Sequence, residues 1–145
     1  MPTSVLRRAP RSVALNPRRV RALADRMLEE LELEDAELSV LLTDDPGIHR
    51  LNQRYRGKDR PTDVLAFELD GTDAADRTRS LGDVVISLDT AARQAKTKGR
   101  PLMAEVTLLL AHGLLHLVGY DHARPAQKRR MDAMTRRLIA AARNV

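Results

Sequence analysis

Hydrophobic residues recur at helical spacing in two segments near the ends of the chain. The first runs from Pro17 to Leu33, with Asn16 placed as N-cap and Pro17 at the first helical position. The second runs from about Pro125 to Ala142, with Met131 and Leu138 on the apolar side and Lys and Arg on the other. Both patterns predict amphipathic helices.

Short apolar runs between polar breaks predict strands rather than helices. These runs are Glu37 to Thr43, Val64 to Leu69 and Gly82 to Ser87. A weaker N-terminal strand is predicted near Val5 or Val13. The charge-rich segment from Asp70 to Ser80 is predicted to be a mobile loop.

Three more helices are expected between these runs. One is capped by Asp44 or Asp45 and reaches Tyr55, and another begins at Ser87 or Asp89 and ends near Gly99. The third, Leu102 to Val118, is apolar nearly all round, which predicts a central buried helix. The order of elements predicts an α+β fold with about five helices, built as one domain over residues 1–145.

Composition narrows the class of protein. Hydrophobic residues make up 43% of the chain and charged residues 31%, as in a globular domain, and no apolar run reaches the ~18 residues of a membrane span. The N-terminus has basic residues but no apolar segment after them, so we expect a cytoplasmic location and no membrane association.

The absence of cysteine and the positive charge bear on ligands. Without cysteine, any metal must be bound by nitrogen or oxygen. A net charge of +5 favours a polyanionic partner. Aromatic residues are only 2% of the chain, so contacts to nucleic acid would depend on backbone and shape rather than base stacking.

Three of the four histidines lie in one short stretch with the spacing of a metal site. His112 and His116 are four residues apart, so on a helix both imidazoles project from one face. Gly119 is placed to end the helix in a left-handed cap and turn the chain back, so that His122 can approach as a third ligand. Three imidazoles leave one tetrahedral position open, as in catalytic zinc sites. His49 is assigned no role.

Gly113 separates this pattern from the His-Glu-x-x-His motif of zinc proteases. It stands where those enzymes carry the glutamate that acts as general base, so a peptidase mechanism lacks its base here. Glycine inside a helix costs about 0.5–1 kcal/mol relative to alanine, which indicates a close approach by another backbone, a ligand or a substrate. Close helix packing is the alternative explanation.

Three sequence blocks together resemble one known family. The stretch from His112 to His122 resembles the signature His-Gly-x-x-His-Leu-x-Gly-Tyr-Asp-His of the YbeY family of bacterial rRNA-maturation endoribonucleases. The segment from Asn52 to Phe67 matches the family's Asn-x-x-Tyr-Arg-Gly-Lys-Asp-x-Pro-Thr-x-Val-Leu-x-Phe block, and Leu81-Gly82-Asp83 matches a third.

The resemblance implies a fold, a site and an activity. The fold is a small mixed sheet packed with helices, and His112, His116 and His122 would ligate one Zn²⁺ per chain. Arg56 matches the family's functionally important arginine near the metal. The implied activity is zinc-dependent cleavage of single-stranded RNA, in maturation of the 16S rRNA 3′ end and in ribosome quality control. Implied partners are rRNA and ribosomal or small-subunit proteins, and no DNA is expected.

Arg56 itself leaves two interpretations open. An arginine beside Gly57 at a helix end can present a bidentate fork to a phosphate, or it can pair with Asp59 or Asp63 on the surface. Lys58 and Arg60 either extend a phosphate-binding strip or are solvated. A ligating imidazole usually donates its other N–H to an acceptor, and the candidate supporting groups are Thr62, Asp63, Asp83, Asp121 and Glu105. Glu105 is better explained as a first-turn glutamate favoured by the helix dipole.

The chain offers no obvious general base. This gap keeps a second hypothesis open, a non-catalytic ribosome-biogenesis factor that zinc stabilises and that binds rRNA through its basic surface. The open coordination position favours the hydrolase.

Overall fold

The chain forms one four-stranded mixed sheet, seen in a computed structural model that describes residues 3–9, 14–69, 80–143 and 145. The strands are β1 (Thr3–Arg7), β2 (Glu37–Thr43), β3 (Val64–Glu68) and β4 (Ser80–Ser87). Their order is β1-β2-β4-β3, with β1, β2 and β4 parallel and β3 antiparallel at one edge. The predicted α+β fold is therefore confirmed, and the weak strand near Val5 is β1.

Five helices occur among the described residues, as the hydrophobic pattern predicts. They are α1 (Pro17–Glu30), α2 (Asp45–Arg56), α3 (Leu88–Lys98), α4 (Leu102–Leu117) and α5 (Pro125–Ala142). Asn16 caps α1 by accepting the Arg18 backbone N–H, but the helix ends before Leu33. Val13 and residues 70–79 of the predicted loop lie outside the described residues. No helix in the described part of the chain is long and apolar enough to cross a membrane.

Helix α4 lies at the centre of the main core, as predicted. Leu110, Leu114 and Leu115 are fully buried, and α1, α4 and α5 pack together over one face of the sheet. The other face carries α2 over a smaller cluster that includes Ile48 and Val85. The two histidines of α4 are thereby mounted on the most buried helix of the fold.

Gly113 is explained by how closely α4 approaches the sheet. A Cβ added at this position would lie 2.6 Å from Cγ1 of Val84 on β4 and 3.3 Å from Cγ2 of Val64 on β3. Val84 is fully buried and β-branched, so it has little freedom to move aside. Of the two explanations for this glycine, the structure therefore supports close packing of helix on sheet, which holds His112 and His116 near β3.

Asp45 joins the N-termini of α2 and α3. Its carboxylate accepts hydrogen bonds from the hydroxyls of Ser87 (2.7 Å) and Thr90 (2.6 Å) and from the Arg93 guanidinium (2.7 Å), while its own backbone N–H donates to Asp89 (2.9 Å). Partial burial raises the pKa of Asp45, but these hydrogen bonds outweigh it and hold the pKa below its ordinary value. The charged carboxylate therefore stabilises the fold.

This network predicts a pH-dependent loss of stability. Because the pKa is lower in the folded state, the contribution is complete above the carboxyl's unfolded pKa and disappears as pH falls through the folded one. We expect Asp45→Asn to lower the free energy of unfolding by about 1–2 kcal/mol at pH 7 and by much less near pH 3. Urea unfolding at both pH values measures this, with exposed Asp35→Asn as control. An equal loss at both pH values contradicts the prediction.

Candidate metal centre

The turn after α4 brings His122 back beside His116. The backbone N–H of Gly119 donates to the His116 carbonyl (3.2 Å), and that of Tyr120 donates to the Leu115 carbonyl (2.9 Å), with Gly119 at φ +101°. This pair of bonds defines a Schellman motif, which requires a positive φ at the glycine. The predicted left-handed cap is present, and the His116 and His122 rings lie 5.4 Å apart between centroids.

Three side chains in this turn can bind one metal ion. Ligand atoms of His116, Asp121 and His122 all lie within 4.8 Å of one another. Two imidazole nitrogens and a carboxylate oxygen suit zinc and other divalent transition metals, so the donors fit such an ion. Asp121 was expected only as a supporting or turn residue. Its one signal in the sequence is its position next to His122.

His112 lines a cavity together with His116 and His122, but it is not a member of the compact group of His116, Asp121 and His122. The cavity has a volume of about 450 Å³, and His112, His116 and His122 all contribute to its wall. Burial is the main cause that lowers the pKa of His112, and the neighbouring His116 lowers it further, while Asp63 opposes them. A lowered pKa keeps the imidazole neutral, which is the form that ligates a metal.

Two carboxylates from other elements also line this cavity. Asp63, just before β3, accepts the Val64 backbone N–H at 2.7 Å and the Gln94 amide at 3.3 Å. Asp132, on α5, accepts a hydrogen bond from Lys128 at 2.9 Å, which is the main cause that holds its pKa below the ordinary value. Asp63 was among the expected supporting groups. Asp132 was not expected, because only tertiary packing brings α5 to the histidines.

Arg56 borders a second cavity that adjoins the first. This cavity, of about 590 Å³, is lined by Arg56 and Lys58 and also by His116 and Asp121. Arg56 does not pair with either aspartate suggested by the sequence. Its guanidinium donates to the Ala66 carbonyl and lies 5.0 Å from the ring centroid of Phe67. The side chain is thus held at a cavity that His116 also lines, with nitrogen donors left over.

Several other candidates lie away from the histidines. Asp83 shares the sheet face of Val85, opposite α4, and so cannot support the ligands. Glu105 is fully buried and binds Lys98 at 2.7 Å, so its role is structural. His49 binds Asp59 at 2.7 Å on the surface. Thr62 does not line the histidine cavity but donates at 3.4 Å to Asp63, which does.

The chain matches known proteins over most of its length. The family model described as "Endoribonuclease YbeY" matches residues 9–143. An endoribonuclease YbeY of Geobacter sulfurreducens is 45% identical over 133 residues, or 90% of this chain and 89% of that protein. One of Anaeromyxobacter dehalogenans is 54% identical over 79% of this chain, which spans only 58% of that longer protein.

A solved structure shares the fold over most of the chain. The solution structure of TM1509 from Thermotoga maritima superposes with a TM-score of 0.66 and 25% sequence identity, covering 96% of this chain and 89% of that one. The histidine turn, the adjoining arginine and these matches lead to one assignment: the chain belongs to the YbeY endoribonuclease family.

Proposed function

We propose that this chain is a zinc-dependent endoribonuclease that cleaves single-stranded RNA during rRNA processing. The observation that carries the proposal is the meeting of His112, His116 and His122 at one cavity, with Arg56 on the wall of the next. The relatives named endoribonuclease YbeY support the reaction class.

We assign the metal to His112, His116 and His122. His112 lies one turn before His116 on the same helix face and lines the same cavity, which supports it as the third ligand. Asp121 accepts the backbone N–H of His122 at 2.7 Å, so in this scheme it orients the turn that carries the third histidine. Its carboxylate is also close enough to complete a different ligand set with His116 and His122.

The surrounding residues suit phosphodiester hydrolysis. When bound, zinc supplies Lewis acidity at the phosphate and makes water more acidic. The positively charged Arg56 guanidinium offsets the negative charge that develops on the phosphate. Asp63 and Asp132 line the same cavity as the histidines and can accept a proton from the attacking hydroxyl, which fills the gap left by glycine at position 113.

The biological setting follows from the family. We propose that the protein acts as a single domain in the cytoplasm, on the 3′ end of 16S rRNA and in ribosome quality control, in contact with ribosomal or small-subunit proteins. The charge of +5 favours such a polyanionic substrate.

Metal removal tests the proposal directly. We expect about one zinc per chain by mass spectrometry, no cleavage of a structured rRNA fragment after chelation, and recovery when zinc is restored. Thermal unfolding of the same samples provides a second readout. If the metal-free protein unfolds at lower temperature but cleaves as fast as the metal-loaded one, the activity is a contaminant and the metal only stabilises the fold.

A further inference from the structure

The positive charge of this protein is concentrated in its last helix. Residues 124–143 contain seven Lys and Arg and a single acidic residue, Asp132, a net charge of +6 compared with +5 for the whole chain. The rest of the chain is therefore close to neutral. Of these seven cations, Lys128 pairs with Asp132 and Arg137 with Glu30. Most of the positive charge of α5 can therefore interact with a binding partner of the protein.

Helix α5 shows which kind of polyanion fits it. Its apolar side is already used, because Met131, Leu138 and Ala142 are buried in the core. A helix that binds a membrane surface needs a free apolar face to insert among the lipids. The exposed side of α5 offers arginines without such a face, which favours a hydrated backbone of phosphates over a lipid bilayer.

One face of α5 runs from the metal cavity to another cavity, which lies at the C-terminal end of the helix and is distinct from the cavity of Arg56. Asp132, Arg136, Ile139 and Arg143 follow one another at spacings of four, three and four residues, so they share one face, which we call the docking face. Asp132 lines the cavity of the histidines. Arg136 is near enough to contribute to the lowered pKa of Asp132, after the larger effect of Lys128.

The far end of the docking face opens on a concave, cationic site. Arg143 and Ile139 line a cavity of about 570 Å³ together with Arg19, Arg100 and apolar residues of α1 and α4. Its wall has arginines for phosphate, of which Arg100 also pairs with the buried Glu105 at 3.8 Å, and an apolar surface for an unstacked base. No acidic residue lines it among the described residues.

We propose that the docking face binds the RNA strand on one side of the scissile phosphate, with the cavity of Arg19, Arg100 and Arg143 as its distal end. The inference rests on the proposed function. Arg143 follows Asp132 by eleven positions, a path of about 16 Å at the helical rise of about 1.5 Å. At about 3.4 Å per phosphate of a stacked strand, this path matches roughly five nucleotides.

The test compares two double variants that remove the same charge. Arg136→Gln with Arg143→Gln alters the docking face, whereas Arg50→Gln with Lys96→Gln alters exposed positions on α2 and α3. All four side chains are exposed, so both variants keep the core intact, which circular dichroism and the melting temperature verify. The probes are single-stranded RNAs of about 4 and about 15 nucleotides, and anionic phosphatidylglycerol vesicles.

We expect the docking-face variant to bind the longer RNA about five- to tenfold more weakly. The slope of log K against log salt should fall by about 1.4, or about 0.7 for each lost phosphate contact. KM for the longer RNA should rise with kcat nearly unchanged, and KM for the shorter RNA should rise much less, because that RNA does not reach Arg143. Metal content should equal that of the wild type.

Four results would contradict the proposal that the docking face binds RNA. They are an equal loss in the control variant, an unchanged salt slope, no RNA binding by the wild type, and vesicle binding as tight as RNA binding. Its failure is distinct from failure of the proposed function. If binding depends on Arg136 and Arg143 but the metal-loaded wild type never cleaves RNA, the docking face stands and the nuclease assignment falls.

Discussion

We expect His116→Ala to lose both the metal and the cleavage of RNA. His116 belongs to the compact donor group of the turn, lines the cavity of the other histidines and also borders the cavity of Arg56. Replacing a residue that only hydrogen-bonds to a metal ligand typically lowers metal affinity or activity about 10–100-fold. Replacing the ligand itself should therefore lower metal affinity and activity by at least about 100-fold each. Metal content by mass spectrometry and single-turnover cleavage measure the two effects.

The control for this variant is His49→Ala. His49 is the one histidine outside the cluster, and it binds Asp59 on the surface. We expect wild-type metal content and activity from it, because an exposed side-chain pair of this kind contributes only about 0–1 kcal/mol. If His116→Ala keeps stoichiometric zinc, the ligand assignment is wrong. If it loses zinc and retains full activity, the metal has no part in the reaction.

Arg56→Ala should keep the metal and lose most of the activity. Arg56 lines the same cavity as His116 and Asp121, is held by the Ala66 carbonyl and the Phe67 ring, and does not belong to the donor group. Removing one group that stabilises transition-state charge typically costs about 10²–10³ in kcat. We expect this loss in kcat rather than in KM. Arg56→Lys should restore little, because an ammonium lacks the planar fork.

Arg54→Ala provides a matched control on the same helix. Arg54 lies over the Tyr55 ring and does not line the cavity of Arg56, so its removal tests the loss of one charge from α2 alone. We expect its kcat to remain within about twofold of wild type. Equal effects of the two variants, or a rise in KM alone for Arg56→Ala, would place Arg56 in general RNA attraction instead of the reaction.

The local pattern was sufficient for most of the fold. Caps and hydrophobic periodicity act within a few residues, so Asn16, Ser87 and Gly119 could be recognised as helix boundaries and each occupies that position in the structure. The early end of α1 shows the usual weakness of such signals, since Leu31 and Leu33 continue the apolar period after the helix has stopped. The parallel pairing of β1, β2 and β4 has no local signal.

The candidate site also has some features that the local sequence predicts and others that only tertiary packing decides. The spacing of His112 and His116, with Gly119 before His122, was enough to predict the histidine cluster, because a helix turn and a cap set those distances. Asp132 and the docking face of α5 could not be predicted, because packing of α5 against α4 decides which side of α5 faces the metal cavity. Motif spacing thus brought the three histidines to one cavity, while contacts between elements distant in sequence decided that Asp132 also lines it.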